Sequence, residues 1–264
     1  MSTVFRATGV SVSFGGVKAV VGVDLEVGEG QVVGLIGPNG AGKTTFIDAI
    51  TGFVKYTGTV ELAGLKLDGL PTHARARRGL ARTWQTVELF DDLSVRENLT
   101  VAARGGGAHA ARGMRSLRAD AGGTSVDDEL ALLQLERVAD AMPAELSQAE
   151  RKRAGIGRAL VARPRLLCLD EPGAGLDVRQ SRELAGLLPR LAQKGTAILL
   201  VDHDMGLVLG SCDQVVVLDS GSVIARGTPP EIRGNDRVVA AYLGRSSDEA
   251  PAAQAPAESK GATT

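Results

Sequence analysis

One stretch constrains this chain more than any other: Gly37-Pro38-Asn39-Gly40-Ala41-Gly42-Lys43-Thr44-Thr45. An apolar run, Val32-Val33-Gly34-Leu35-Ile36, leads into it, and a helical pattern, Thr45-Phe46-Ile47-Asp48-Ala49-Ile50, leads out. Strand, glycine-rich loop and helix form the context in which G-x-x-x-x-G-K-[ST] cradles phosphate. Glycines let successive backbone N–H groups turn inward, where side chains would block the anion. The helix N-terminus adds free donors and a favourable dipole. On this reading Lys43 reaches the β- and γ-phosphates of a nucleotide, and the Thr44 hydroxyl ligates Mg²⁺.

With 264 residues, the chain is long enough for a sizeable buried core in one large domain or two small ones. A net charge of −1 argues against a general binder of nucleic acid or anionic membranes. Two cysteines, Cys168 in an apolar run and Cys212 before Asp213, do not indicate a disulfide framework. No secretory signal is expected at the N-terminus, and no apolar run is long enough to span a bilayer. Work at a membrane would require another chain to supply the span.

Residues 4–27 alternate apolar and polar positions around Gly15-Gly16, which predicts antiparallel strands, and 58–64 predict another short strand. Arg75, Arg77, Arg78 and Arg82 make the next segment basic, as a solvated face or as a contact surface. Helical character begins at Val87, and Ser94 and Glu97 have the spacing of a capping box. Residues 86–99 mix Leu89, Phe90 and Leu93 with Glu88, Asp91 and Asp92, as local core or as an acid-rimmed groove for a partner helix. Residues 104–127 read as a flexible insertion with a short basic helix near 114–117. Helices are predicted over 127–141, 147–161 and 178–193, and strands over 166–169, 197–201 and 215–218. That alternation implies a largely parallel sheet with helices on its faces. Residues 246–264, rich in Ala, Ser and Pro, are expected to be disordered.

A phosphate loop alone does not say what becomes of the nucleotide. The run Leu166-Leu167-Cys168-Leu169-Asp170-Glu171 carries two carboxylates to the C-terminal edge of a buried strand. Asp170 can hold Mg²⁺, usually through water, and Glu171 can polarise an attacking water as general base. His203, at the end of the strand 197–201, can donate a hydrogen bond to a γ-phosphate from the same edge.

Together these motifs resemble the nucleotide-binding subunits of ABC transporters, over nearly all of residues 4–244. Residues 37–45 match Walker A, Asp170 and Glu171 Walker B, Gly175-Leu176-Asp177 the D-loop and His203 the switch histidine. Gln85 matches the Q-loop glutamine, which the resemblance implies senses Mg²⁺ and the γ-phosphate, and Phe14 matches the aromatic that stacks on adenine. Leu146-Ser147-Gln148-Ala149-Glu150 sits at the signature position, where Ser147 would close over ATP bound by an opposite subunit. Gly79-Leu80-Ala81-Arg82-Thr83-Trp84-Gln85, Leu93-Ser94-Val95-Arg96-Glu97-Asn98-Leu99 and Ala241-Tyr242-Leu243-Gly244 resemble the ATPases of branched-chain amino acid importers. Urea and short-amide importers and lipopolysaccharide exporters carry similar subunits.

The resemblance implies an α/β P-loop core, about 1–86 and 162–245, with an antiparallel β layer and an inserted helical subdomain, about 87–161. It implies an ATPase using ATP and Mg²⁺, peripheral to the cytoplasmic face of the membrane. Its implied partners are transmembrane permease subunits, a second ATP-binding subunit and a solute-binding protein, with no nucleic acid. Gln148 and Ala149 replace both glycines of the Leu-Ser-Gly-Gly-Gln signature, and each added Cβ can tilt an N–H off target. This departure predicts a heterodimer whose partner carries the intact signature, and it keeps open an ATP-binding regulatory subunit.

Overall fold

The structure, a computed structural model, describes residues 2–86, 88–105 and 125–243. The expected helix near 114–117 and the expected disordered tail over 246–264 lie outside the described residues.

The chain opens with a long hairpin, β1 (Thr3–Phe14) and β2 (Val17–Gly28), followed by β3 (Val32–Ile36) and α1 (Lys43–Thr51). Next come β4 (Thr57–Leu62), β5 (Leu65–Lys66), α2 (Thr72–Arg77) and β6 (Leu80–Thr83). A helical stretch holds α3 (Val95–Gly105), α4 (Val126–Leu132) and α5 (Gln148–Leu160). The chain then alternates through β7 (Leu166–Asp170), α6 (Val178–Ala192), β8 (Ala197–Val201), α7 (Met205–Ser211), β9 (Gln214–Asp219) and β10 (Ser222–Gly227), ending in α8 (Pro229–Arg233) and α9 (Asp236–Leu243).

Two sheets result. One is antiparallel, in the order β2-β1-β4-β5; the other runs β10-β9-β3-β8-β7-β6, parallel except for its β10 edge. Strand periodicity explains the layering. Val33 and Leu35 of β3, Cys168 of β7, Leu199 of β8 and Leu218 of β9 pack with α1 and the inner residues of β1 and β2. Their neighbours Val32, Ile36, Leu167, Leu200 and Val217 point the other way, against α5, α6 and α7. The parallel strands are therefore buried on both faces, which is why they read as continuous apolar runs.

Three expectations are corrected. Residues 88–93 form no helix; α3 starts at Val95 behind a Ser94–Glu97 capping box, with Ser94 N–H to Glu97 Oε2 at 2.8 Å. The predicted helix over 127–141 is broken at Gln134, whose φ is 57°. There the Leu135 N–H bonds Leu130 O at 2.8 Å and the Gln134 N–H bonds Ala131 O at 3.1 Å, so α4 closes in a Schellman-type turn. Burial of Leu130 and Leu135 offsets the cost of a left-handed glutamine. Finally, α3 runs to Gly105 and α4 begins at Val126, so the ends of the expected insertion are helical.

Candidate functional site

Strands β3, β8, β7 and β6 are parallel neighbours, so their C-terminal ends open onto one edge. Four segments leave from that edge: 37–45 after β3, Asp202-His203 after β8, Asp170-Glu171 at the end of β7 and Trp84-Gln85 after β6. Open α/β sheets bind ligands at such an edge.

Three glycines of the phosphate loop lie at positive φ, and at two of them a Cβ would also collide with backbone. At Gly37, φ is 151° and a Cβ would lie 2.1 Å from the Leu218 carbonyl oxygen. At Gly42, φ is 102° and a Cβ would lie 2.4 Å from the Ala19 carbonyl oxygen, in the hairpin that also carries exposed Phe14. Gly42 is the N-cap of α1 and provides no side-chain cap, so the first turn offers its amides to a ligand. Lys43 is buried, and its Nζ donates to Gly37 O at 2.7 Å and Pro38 O at 3.1 Å. Burial pulls its pKa below the ordinary lysine value, against the opposing pull of Glu171, Asp170 and Asp202. Pro38 is buried, whereas Asn39, Gly40 and Thr44 are exposed and Thr45 is half-buried. Ala41 ties the loop down, its N–H donating to Pro38 O at 3.1 Å and its carbonyl accepting from Gly221 N–H at 3.0 Å.

Facing the loop, Glu171 holds a φ of 48°, rare for a residue with a Cβ. Its N–H extends the β7–β8 ladder to Val201 O at 2.7 Å, its carboxylate accepts from Gln85 Nε2 at 2.9 Å, and His203 Nδ1 lies 3.8 Å away. Strain of this kind persists only where the surroundings hold it, and it concentrates at functional sites. Asp170 is nearly buried and pairs with Arg82 at 2.8 Å. Gln85, Glu171 and His203, predicted from distant stretches, thus meet at one point. Within this chain Ser147 and Asp177 each cap a helix, α5 and α6 respectively, in a full capping box.

The site fits a nucleotide carrying Mg²⁺. Thr44 and Asp170 are hard oxygen donors. Among the described residues no cluster of three or more His, Cys, Asp or Glu could hold a metal alone. Mg²⁺ is commonly held by one or two protein oxygens together with phosphate and water.

Four residues have structural roles that the sequence reading did not assign. Asp202, fully buried, accepts from the N–H groups of Gly173 at 2.8 Å, His203 at 2.8 Å and Asp204 at 2.9 Å, and so shapes both loops beside Glu171. Lys152 of α5, buried, donates to Glu171 O at 3.2 Å, and burial lowers its pKa. Arg82 is buried between two carboxylates, while Arg75 bonds the carbonyls of Ala49 and Ile50 at the end of α1. The basic segment is therefore split: Arg75 and Arg82 are internal, and Arg77 and Arg78 are exposed. The only sign of this in the sequence was its density of arginine.

A groove opens beside the site, lined in part by Phe53, Trp84, Gln85, Arg77, Arg78 and Arg158. It corrects the expected acid-rimmed groove over 86–99. Of the expected stretch, Thr86 and Glu88 line it, but Glu88 stands among arginines, Leu89 belongs to the core, and exposed Asp91 and Asp92 do not line it.

Comparison with known proteins gives the family and the fold. The profile of the ABC transporter family covers residues 20–174, and the chain belongs to that family. It is an ATPase coupled to transport. A second profile, that of the branched-chain amino acid ATP-binding cassette transporter, covers residues 222–248. The chain is 39% identical to the high-affinity branched-chain amino acid transport ATP-binding protein BraF of Pseudomonas aeruginosa, over 92% of this chain and 98% of that one. It is 41% identical to LivG of Salmonella typhimurium, with the same description, over 90% and 96%. The lipopolysaccharide export ATP-binding protein LptB of Escherichia coli is 34% identical over 90% and 96%. Among solved structures, the ADP conformation of an ATP-binding cassette of an ABC transporter superposes with a TM-score of 0.80, at 28% identity, over 93% of this chain and all of that one. No described helix is long and apolar enough to cross a membrane.

Proposed function

We propose that the chain energises import of branched-chain amino acids, sitting at the cytoplasmic face of the membrane beneath permease subunits that receive solute from a binding protein. The observation carrying this reading is the match of residues 222–248 to the branched-chain profile, outside the general cassette. The loop amides and Lys43 take up phosphate charge, Phe14 stacks on adenine, and Thr44, Asp170 and Gln85 would hold Mg²⁺. Bound Mg²⁺ supplies further charge neutralisation at the phosphates. Glu171 accepts the proton of the water that attacks the γ-phosphorus, while Gln85 and His203 orient that carboxylate and the phosphate. Ser147 and Asp177 serve a second, different ATP-binding subunit. The site completed by Ser147, Gln148 and Ala149 is the slow one, because a Cβ at each of the last two positions hinders the close backbone approach that glycine allows, and fewer well-aimed amides stabilise less transition-state charge. The arginine-rimmed groove suits an acidic cytoplasmic helix of a permease.

Reconstitution with permease subunits of a branched-chain amino acid importer tests the substrate. ATP-dependent uptake of leucine, isoleucine or valine is expected. Uptake of urea or release of lipopolysaccharide, with no branched-chain uptake, would overturn the assignment.

A further inference from the structure

The Arg82 guanidinium joins two places that the proposed chemistry treats separately. Its Nη2 reaches Asp170 Oδ2 at 2.8 Å and its Nη1 reaches Asp48 Oδ1 at 2.6 Å, with the arginine side chain only 5% exposed. Its Cζ lies over the Trp84 ring, 4.1 Å from the centroid, and over the Phe53 ring, 5.8 Å from the centroid. The two rings meet edge to face, 5.2 Å apart at 78°, and both are about half exposed in the groove. A guanidinium is planar and rigid, so edge bonds to two carboxylates and a stacked face cannot move independently.

We infer that Arg82 is a positioning residue that fixes the Asp170 carboxylate and ties it to the Phe53–Trp84 pair, so that metal binding and the packing of Trp84 change together. The inference rests on the reading that Asp170 faces Mg²⁺. Any shift of Asp170 toward a cation tilts the plate and alters the ring stacked on it. By reciprocity, whatever repacks Trp84 in the groove changes the metal site.

Trp84 is the single tryptophan of the chain, so its emission reports one place. The full chain is saturated with ADP in EDTA and then titrated with MgCl₂, with calorimetry of ADP binding run under both conditions. A Mg²⁺-dependent change in Trp84 emission is expected in the native protein. In Arg82→Gln it should shrink roughly fivefold or more, because the stack and both ion pairs are lost together. Arg82→Lys keeps the charge but not the plate, and it should lose at least about half of the response while still binding ADP; it decides the matter if the glutamine variant fails to fold. A silent Trp84, or a response of full size in the variants, with Mg²⁺ still strengthening ADP binding, overturns the link and leaves the metal site standing. If Mg²⁺ does not strengthen ADP binding in the native protein, the metal-site reading falls and the link falls with it.

Discussion

Two helix N-termini enter the proposed chemistry of this molecule, and they are built in opposite ways. Helix α1 begins at Gly42 with no side-chain cap, so its first amides await an anion. Helix α5 begins at Ser147, which accepts from Glu150 N–H at 3.3 Å while Glu150 accepts from Ser147 N–H at 2.8 Å and from its hydroxyl at 2.6 Å. One end is open, and the other is satisfied by its own chain. An open end buries its cation beneath the loop, as Lys43 is buried here, and its stability improves when phosphate arrives. A self-capped end is stable alone and must trade hydrogen bonds to serve a ligand held by another subunit. Gln148 strengthens that closure: its Nε2 lies 3.4 Å from Ala174 O, in the turn that follows Glu171.

The largest effect should fall on the open side. Glu171→Gln keeps the shape but cannot accept a proton, and turnover in the assembled transporter should fall about 10²–10⁴-fold with ATP affinity retained. Wild-type turnover in that variant would remove Glu171 from its role. Lys43→Ala should act one step earlier, on binding. Loss of charge-assisted hydrogen bonds worth about 1.5–3 kcal/mol corresponds to a Kd for ATP raised roughly 10- to 150-fold. Calorimetry on the isolated chain checks this, and an unchanged Kd would contradict it.

The open site was legible because its pieces are contiguous. A strand, a loop and a helix within twenty residues announce a phosphate cradle, and an apolar run ending in Asp170-Glu171 announces a metal-facing edge. What stayed hidden depends on chain segments far apart. Arg82 meets Asp170 across 88 positions and Lys152 meets the Glu171 carbonyl across 19, so nothing local distinguishes them from solvated charges. Asp202 was visible only as a neighbour of His203, although it organises three backbone amides. Likewise, the periodicity of Leu130, Leu133 and Val138 suits one helix, and the left-handed turn at Gln134 becomes favourable only once Leu135 packs into the core.

On the capped side the effects are smaller. Ser147→Ala should cost about 1 kcal/mol of stability through the lost cap, with ATP affinity of the isolated chain unchanged. Thermal unfolding and calorimetry on the same samples separate the two, and a weakened ATP affinity would place Ser147 in this chain's own site. In the proposed heterodimer, restoring glycine at positions 148 and 149 should raise turnover at the site that the start of α5 completes; no gain would mean that Gln148 and Ala149 are tolerated.

The smallest effect is in acid. Glu97, Asp128, Glu150 and Glu231 each take hydrogen bonds from an N-cap residue, which holds their pKa values below the ordinary range. A group depressed on folding contributes stability above its unfolded pKa, about 4 for these carboxylates, and loses it as pH falls through the folded value. The thermal midpoint should therefore drop below about pH 4 as the caps protonate. Glu150→Gln should flatten that drop slightly, and an identical slope would show that the cap is not titrating.

The contrast between the two helix ends can be read amide by amide. Hydrogen exchange of the isolated chain, with and without Mg²⁺-ATP, should show new protection at Gly42, Lys43, Thr44 and Thr45, while the amides of Gln148, Ala149 and Glu150 exchange as before. Protection appearing at the start of α5 and not at the start of α1 would contradict the account.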